Sequence, residues 1–253
     1  MPKEAFALLV GKSDVIPVVR RIMADHLSPV LAYRRLVAMD NRTAPSFLFE
    51  SVENGDEVGR FSFLGSDPSV ELIAYEHDVI IRDIERGTEE KITSKNPLDL
   101  LKEKSNQWNV APPIAMTDLP LPSFTGGWVG FAGYDTARYL EAESLPFCNA
   151  PSDDRALPDL HFALYKTVIV FDHVAKVVHV IHNALTKEGE GTAWSKANEE
   201  LQRVVDLLQK DGENIPVGTI SIDLSTPPPK PTQSNMSREA FETSVQKCKE
   251  YIA

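Results

Sequence analysis

The sequence predicts an α+β fold, a mainly antiparallel sheet with helices covering it. Two observations carry that expectation. Between Ser46 and Ser94, short apolar-alternating segments follow one another with only turns between them, the spacing of an antiparallel meander. Elsewhere, apolar residues recur at helical spacing, twice behind a capping signal, at Ser28-Pro29 and Asn96-Pro97. The length of 253 residues suits one large domain or two small ones.

Taken in order, Val15 to Met23 is apolar and β-branched and predicts a strand. Ser28 fits an N-cap and Pro29 a first helical position, so a helix is expected to about Val37, with Tyr33, Leu36 and Val37 on its covered side. Phe47 and Phe49 alternate with Leu48 and Glu50, and Phe61 and Phe63 flank Ser62, giving two strands joined by a polar turn. Strands are then expected at Val70–Tyr75 and Val79–Arg82, and a weaker one across Ile84–Ile92 with a turn at Gly87. Asn96-Pro97 opens a helix to about Trp108, and the proline-bearing stretch 109–122 reads as a loop.

Four glycines among apolar residues, from Phe124 to Asp135, suggest a buried strand that another backbone or a ligand approaches closely. The glycine spacing fits neither phosphate-binding frame. After a loop from Pro146 to Pro158, Ala163–Asp172 and Val174–His182 read as one long hairpin turning near residues 173–175. His179 and His182 fall on opposite faces of such a strand and so cannot share one metal ion there. Thr192–Gln209 carries Trp194, Ala197, Leu201, Val204, Val205 and Leu208 on one helical stripe. Residues 210–236, rich in Pro, Ser and Thr, read as a linker. Ser237 caps a last helix with Phe241, Val245, Cys248 and Ile252 on one face, and the chain stops within it. The expected domains are therefore 1–209, the linker 210–236, and the first helix of a further domain at 237–253.

Composition narrows the function classes. The chain is 42% hydrophobic and 25% charged with a net charge of −11, which argues against nucleic acid and anionic membrane as partners. No apolar run approaches the roughly 20 residues of a membrane span, and no secretory signal is visible at the start. The two cysteines, Cys148 and Cys248, lie far apart and suggest reduced thiols.

The segment Ser46-Phe47-Leu48-Phe49-Glu50-Ser51 places a carboxylate beside a hydroxyl at a strand end. A free amino acid needs such an anchor: a carboxylate for its ammonium, with N–H and O–H donors for its own carboxylate. A surface hairpin with an ordinary polar end fits the same residues.

Several ordered motifs together resemble the large subunit of anthranilate synthase (component I). They are Val30-Leu31-Ala32-Tyr33-Arg34, Ala44 to Ser51, Gly59-Arg60-Phe61-Ser62, and Gly126-Gly127-Trp128-Val129-Gly130-Phe131 with Tyr134 to Tyr139. Leu145-Pro146-Phe147, Asp153-Asp154-Arg155, Leu157-Pro158-Asp159-Leu160 and Val170-Phe171-Asp172-His173-Val174 resemble the plant-type branch. Glu239-Ala240-Phe241 and Lys247 to Ala253 resemble the first helix of that family's chorismate-binding domain.

The resemblance implies the N-terminal part of a two-sheet fold shared with aminodeoxychorismate synthase. It implies an enzyme, a lyase, that turns chorismate and ammonia into anthranilate and pyruvate in tryptophan biosynthesis. A glutamine amidotransferase subunit would supply the ammonia, and Mg2+ would be bound by residues outside this chain. It implies one side of an L-tryptophan feedback site, with Glu50 and Ser51 contacting the effector and Arg60 and Ser62 on the neighbouring strand of the same pocket. The motif departs from many members at Phe49, where they carry Leu. No catalytic residue and no metal ligand is expected in this chain, and the chain alone is expected to be inactive. The plant-type motifs imply a plastid stroma, and a cytoplasmic location otherwise. The competing readings are the large subunit of aminodeoxychorismate synthase in folate synthesis, a stand-alone amino-acid-binding module, and a structural fragment without ligand affinity.

Overall fold

The computed structural model describes residues 2–23, 25–37, 45–52, 58–112, 121–151, 153, 155–209 and 234–252, with backbone alone at 51, 52 and 58. The chain groups into two compact units, Met1–Asp211 and Gly212–Ala253.

Among the described residues, ten strands build the first unit: β1 (Val15–Met23), β2 (Phe47–Val52), β3 (Val58–Gly65), β4 (Val70–Tyr75), β5 (Asp78–Asp83), β6 (Thr88–Thr93), β7 (Gly127–Ala132), β8 (Leu160–Tyr165), β9 (Thr167–Asp172) and β10 (Val177–Leu185). They form two five-stranded sheets, β1-β10-β9-β3-β2 and β6-β5-β4-β8-β7. Every neighbouring pair is antiparallel. The α+β class expected from the sequence is therefore the one observed.

The helices of this unit are α1 (Lys3–Ala7), α2 (Pro29–Leu36), α3 (Pro97–Asn106), α4 (Ala137–Leu140) and α5 (Glu190–Gln209). Both capping signals act as expected. Ser28 Oγ accepts from Leu31 N at 3.2 Å, and Asn96 Oδ1 accepts from Leu98 N at 3.2 Å. Pro17 sits within β1 because β1 is an edge strand, where a missing N–H breaks no ladder.

Three apolar layers follow from strand alternation. The face-to-face core between the sheets holds Val19, Phe47, Val168, Val170 and Ile181 from the first sheet and Val129, Ala163 and Tyr165 from the second. The outer face of the first sheet packs Ile16, Val18, Leu64, Ile169, Val178 and Val180 under the α5 stripe of Ala197, Leu201, Val204, Val205 and Leu208. The outer face of the second sheet packs Leu72, Ala74, Val79, Ile81 and Leu160 against Leu98 and Leu101 of α3.

Three expectations need correction. The stretch from Ser46 to Ser94 is not one meander: β2 and β3 belong to the first sheet, and β4, β5 and β6 to the second. The chain crosses at Asp67-Pro68, where Asp67 is left-handed with φ 53° and Pro68 offers no N–H to continue the ladder. The expected strand Ala163–Asp172 is likewise two strands in different sheets, because Tyr165 pairs with Gly127 whereas Thr167 pairs with His182. The weak strand begins at Thr88 rather than Ile84, since residues 84–87 form a turn held by Arg86 N donating to Asp83 Oδ1 at 2.9 Å. Helix α1 was not anticipated; its Phe6 is fully buried and packs on Trp194 with ring centroids 5.2 Å apart.

In the second unit the described part is helix α6 (Arg238–Ile252). Ser237 Oγ accepts from Ala240 N at 3.2 Å, as the capping signal predicts. Phe241, Val245, Cys248 and Ile252 are exposed along it. Residues 210–233 of the expected linker lie outside the described residues.

Candidate functional site

Glu50 and Ser62, two of the residues singled out in the sequence, stand at outer-face positions of the first sheet, the face that α5 covers. Antiparallel register puts directly opposed residues on one face. Leu48 opposes Leu64, Leu64 opposes Ile169, and Ile169 opposes Val180, making one apolar row across four strands. The next row begins with Glu50 on β2, which opposes Ser62 on β3, which opposes Phe171 on β9. Arg60 lies two residues beyond Ser62, but its guanidinium reaches round to Asp172 and the Phe61 ring, which oppose each other on the inner face. Polar residues thus take over where the apolar row ends.

Glu50 is exposed, and no ion pair to it occurs among the described residues. Beside it the β2–β3 ladder changes register between Glu50 and Val52, an irregularity that re-aims the chain at Ser51. The Ser51 side chain lies outside the described residues. Ser62 is buried at 3% exposure, and its Oγ shares a 2.7 Å hydrogen bond with His173 Nε2.

The Arg60 guanidinium donates to Asp172, with the shortest contact 2.9 Å. Its Cζ also lies 4.9 Å over the Phe61 ring. Glu50 and Ser62 thus oppose each other on one face, whereas Arg60 turns to Asp172, and Arg60 and Ser62 have their polar atoms already engaged.

Their partners are Asp172, the last residue of β9, and His173, the first of the turn that follows; neither was among the site residues expected from the sequence. The available signal was a charged residue ending the apolar run Val168–Phe171. Asp172 is 3% exposed, and its Oδ1 also accepts from Val174 N at 3.0 Å and Ala175 N at 2.9 Å. Burial pushes its carboxyl up, but Arg60 and the two turn N–H groups outweigh that and hold it below the usual carboxylate range. His173 N donates to Arg60 O at 2.9 Å, which ties the turn to β3 a second time. A second buried group stands on the sheet's inner face, where Arg21 Nε donates to His179 Nδ1 at 3.3 Å. Burial, with Arg21 beside it, holds the His179 imidazole below its ordinary value against the pull of Asp172.

His179 and His182 do point to opposite faces. His182 shares a 2.8 Å hydrogen bond with Thr167 Oγ1 on the α5 side. Among the described residues no group of three or more His, Cys, Asp or Glu could hold a metal ion.

The glycine-rich strand is explained by close approach of backbone. A Cβ on Gly130 would lie 1.9 Å from the His161 carbonyl oxygen of β8.

Comparison with known proteins bears on what this arrangement serves. The chain is 40% identical over 247 residues to the anthranilate synthase alpha subunit 1, chloroplastic, of Oryza sativa subsp. indica, covering 94% of this chain and 42% of that protein. It is 41% identical over 249 residues to the chloroplastic alpha subunit 1 of Arabidopsis thaliana, covering 95% and 41%. It is 31% identical over 244 residues to anthranilate synthase component 1 of Acetivibrio thermocellus, covering 94% and 45%. The chain thus spans less than half the length of these relatives. Anthranilate synthase component I of Streptococcus pneumoniae TIGR4 overlays 77% of this chain and 38% of its own at 28% identity, with a TM-score of 0.46. The profile of the family described as chorismate binding enzyme matches residues 44–253, from the strand that carries Glu50 through the last helix. A match over that much of the sequence makes this chain a member of the chorismate binding enzyme family.

Proposed function

We propose that the chain is part of an anthranilate synthase large subunit, a lyase converting chorismate and ammonia to anthranilate and pyruvate, and that it carries one side of an L-tryptophan feedback site. The observation that carries this reading is the 40–41% identity to plant anthranilate synthase alpha subunits over 94–95% of the chain. Ammonia comes from glutamine through an amidotransferase subunit. The chloroplastic relatives favour a plastid stroma, and no described helix is long and apolar enough to cross a membrane.

Within this reading Glu50 sets its exposed carboxylate beside the effector's ammonium, and Ser51 exchanges a hydrogen bond with the amino-acid head group. Arg60 and Ser62 act one step removed: through Asp172 and His173 they hold the β9–β10 turn against β3, and so fix the frame in which Glu50 stands. Mg2+, which the complete enzyme is proposed to use, would be held by residues outside this chain. The described residues here do not fit that ion, and nothing in this proposal runs through it. The linker at 210–236 and the onset of a separate domain near 237 belong to the same proposal.

The test uses a protein of the relatives' full length that contains this chain, with an amidotransferase subunit. Supplied with chorismate and glutamine, or with ammonia alone, it should form anthranilate, read by its fluorescence and by chromatography. Formation of aminodeoxychorismate instead would replace this reading with the folate-pathway enzyme. The 253-residue chain alone should form neither product.

A further inference from the structure

Residues 133–149 lie over one end of the second sheet as a strap that is tied down on one side and bare on the other. On the tied side, Gly133 N donates to Asp159 O at 2.7 Å, Thr136 Oγ1 donates to the same carbonyl at 2.8 Å, and the Tyr139 hydroxyl donates to Glu76 O at 2.6 Å. Thr136 and Tyr139 are buried there, and the Tyr139 ring packs on Phe147 with centroids 5.1 Å apart. Arg138 closes the strap on itself, donating to Asp135 Oδ1 at 2.6 Å and to Pro146 O at 3.3 Å.

On the bare side, Tyr134 is 94% exposed, Leu140 67% and Leu145 46%. An open groove of about 720 Å3 begins at Tyr134 and adds Tyr75, Phe131 and Leu157, each at least 40% exposed. Large apolar side chains gathered in this way mark an interaction surface, whereas single ones do not. The hydrogen bonds of the tied side already fix the backbone that carries them, so docking would cost little further ordering.

The same surface is acidic. Glu76, Asp78, Glu141 and Glu143 are exposed and form no ion pair with any described residue, and Arg155 is the one cation among the described residues that line the groove. A second copy of this chain would set the same carboxylates face to face, and nucleic acid or an anionic membrane would be repelled.

We propose that this face docks a protein partner whose contacting surface sets lysine and arginine around an apolar centre. On the function proposed above, on which this assignment rests, that partner is the amidotransferase subunit, the one protein partner it requires. Tyr134 and Leu140 enter the partner's apolar centre, and the carboxylates meet its cations at the rim, where they speed encounter more than they tighten the complex.

The test uses the full-length protein that contains this chain and the amidotransferase subunit, with their dissociation constant read by isothermal titration calorimetry. Tyr134→Ala should weaken assembly about 10- to 30-fold. Glu141→Lys combined with Glu143→Lys should weaken it about 10-fold at about 50 mM salt and much less at about 0.5 M, where exposed charges are screened. Glutamine-dependent product formation should then need correspondingly more partner, while the ammonia-dependent rate and the melting temperature stay as in the wild type. No measurable assembly of the wild-type proteins, or unchanged constants in both variants, would overturn the proposal. So would a fall in the ammonia-dependent rate or the melting temperature alongside the affinity, because the remainder of the enzyme's own chain would then be what covers this face. The dissociation constants decide the docking face whichever product forms, so a failure of the anthranilate synthase reading, seen as aminodeoxychorismate, is told apart from a failure of this one.

Discussion

The Asp172 carboxylate takes the Arg60 guanidinium and the N–H groups of Val174 and Ala175, so this one side chain joins β3 to the β9–β10 turn. Asp172→Asn keeps the shape and loses the charge, and should lower unfolding stability at pH 7 by about 1–3 kcal/mol. The folded carboxyl is held below its usual range, so the wild-type advantage is present above the unfolded value near 3.9 and disappears as pH falls through the folded value. Urea denaturation of both proteins at pH 7, 5 and 3 should show the gap narrowing, and a gap as wide at pH 3 as at pH 7 would contradict the assignment. His179 and His182 both sit below their ordinary values, through burial first, with Arg21 and Lys166 respectively adding to it. Unfolding therefore takes up protons as pH falls below about 6.5, and stability should decline from about pH 7.5 to 5.5. His179→Gln should flatten that decline in the same urea experiment; an unchanged slope would remove His179 from the account.

At the scale of elements, β7 and β8 meet so closely that a methyl group has no room. Gly130→Ala should force β7 off β8 and cost about 1–3 kcal/mol or more, seen as a lowered melting temperature. An unshifted melting temperature would mean the strands separate freely there. This strand, the two caps, β1 and the α5 stripe were legible because each is written in local pattern. Assignment of strands to sheets was not, since alternation says that a strand has two faces and nothing about which neighbour it pairs with. One signal was present. Ala163 and Tyr165 face the inter-sheet core at odd positions, whereas Val168 and Val170 face it at even ones, so no single strand could bury all four. The phase change at Lys166 marks the crossing. The surroundings of the proposed site were half legible for a similar reason: Glu50, Arg60 and Ser62 lie on two strands adjacent in sequence, whereas Asp172 and His173 come from more than 100 positions later and only the sheet brings them to Arg60 and Ser62.

For the molecule as a whole, the first unit is a pair of sheets with α5 and α3 on their outer faces, and the Glu50 row is where the α5-side core gives way to polar groups. Under the proposed function, an effector bound there controls the enzyme only as far as its affinity differs between two conformations. Neither Glu50 nor Ser51 need touch chorismate, so the uninhibited rate should change little when either is altered. A charge-assisted hydrogen bond is worth about 1.5–3 kcal/mol, so losing one should weaken tryptophan inhibition by about 10- to 150-fold. Ser51→Phe also fills the space and should abolish inhibition. The most direct test is the half-maximal inhibitory concentration of L-tryptophan for the full-length enzyme and its Ser51→Ala and Ser51→Phe variants, with thermal unfolding followed alongside. The account predicts stable, active variants whose inhibition is weakened in the first and lost in the second; unchanged half-maximal concentrations in both would contradict it.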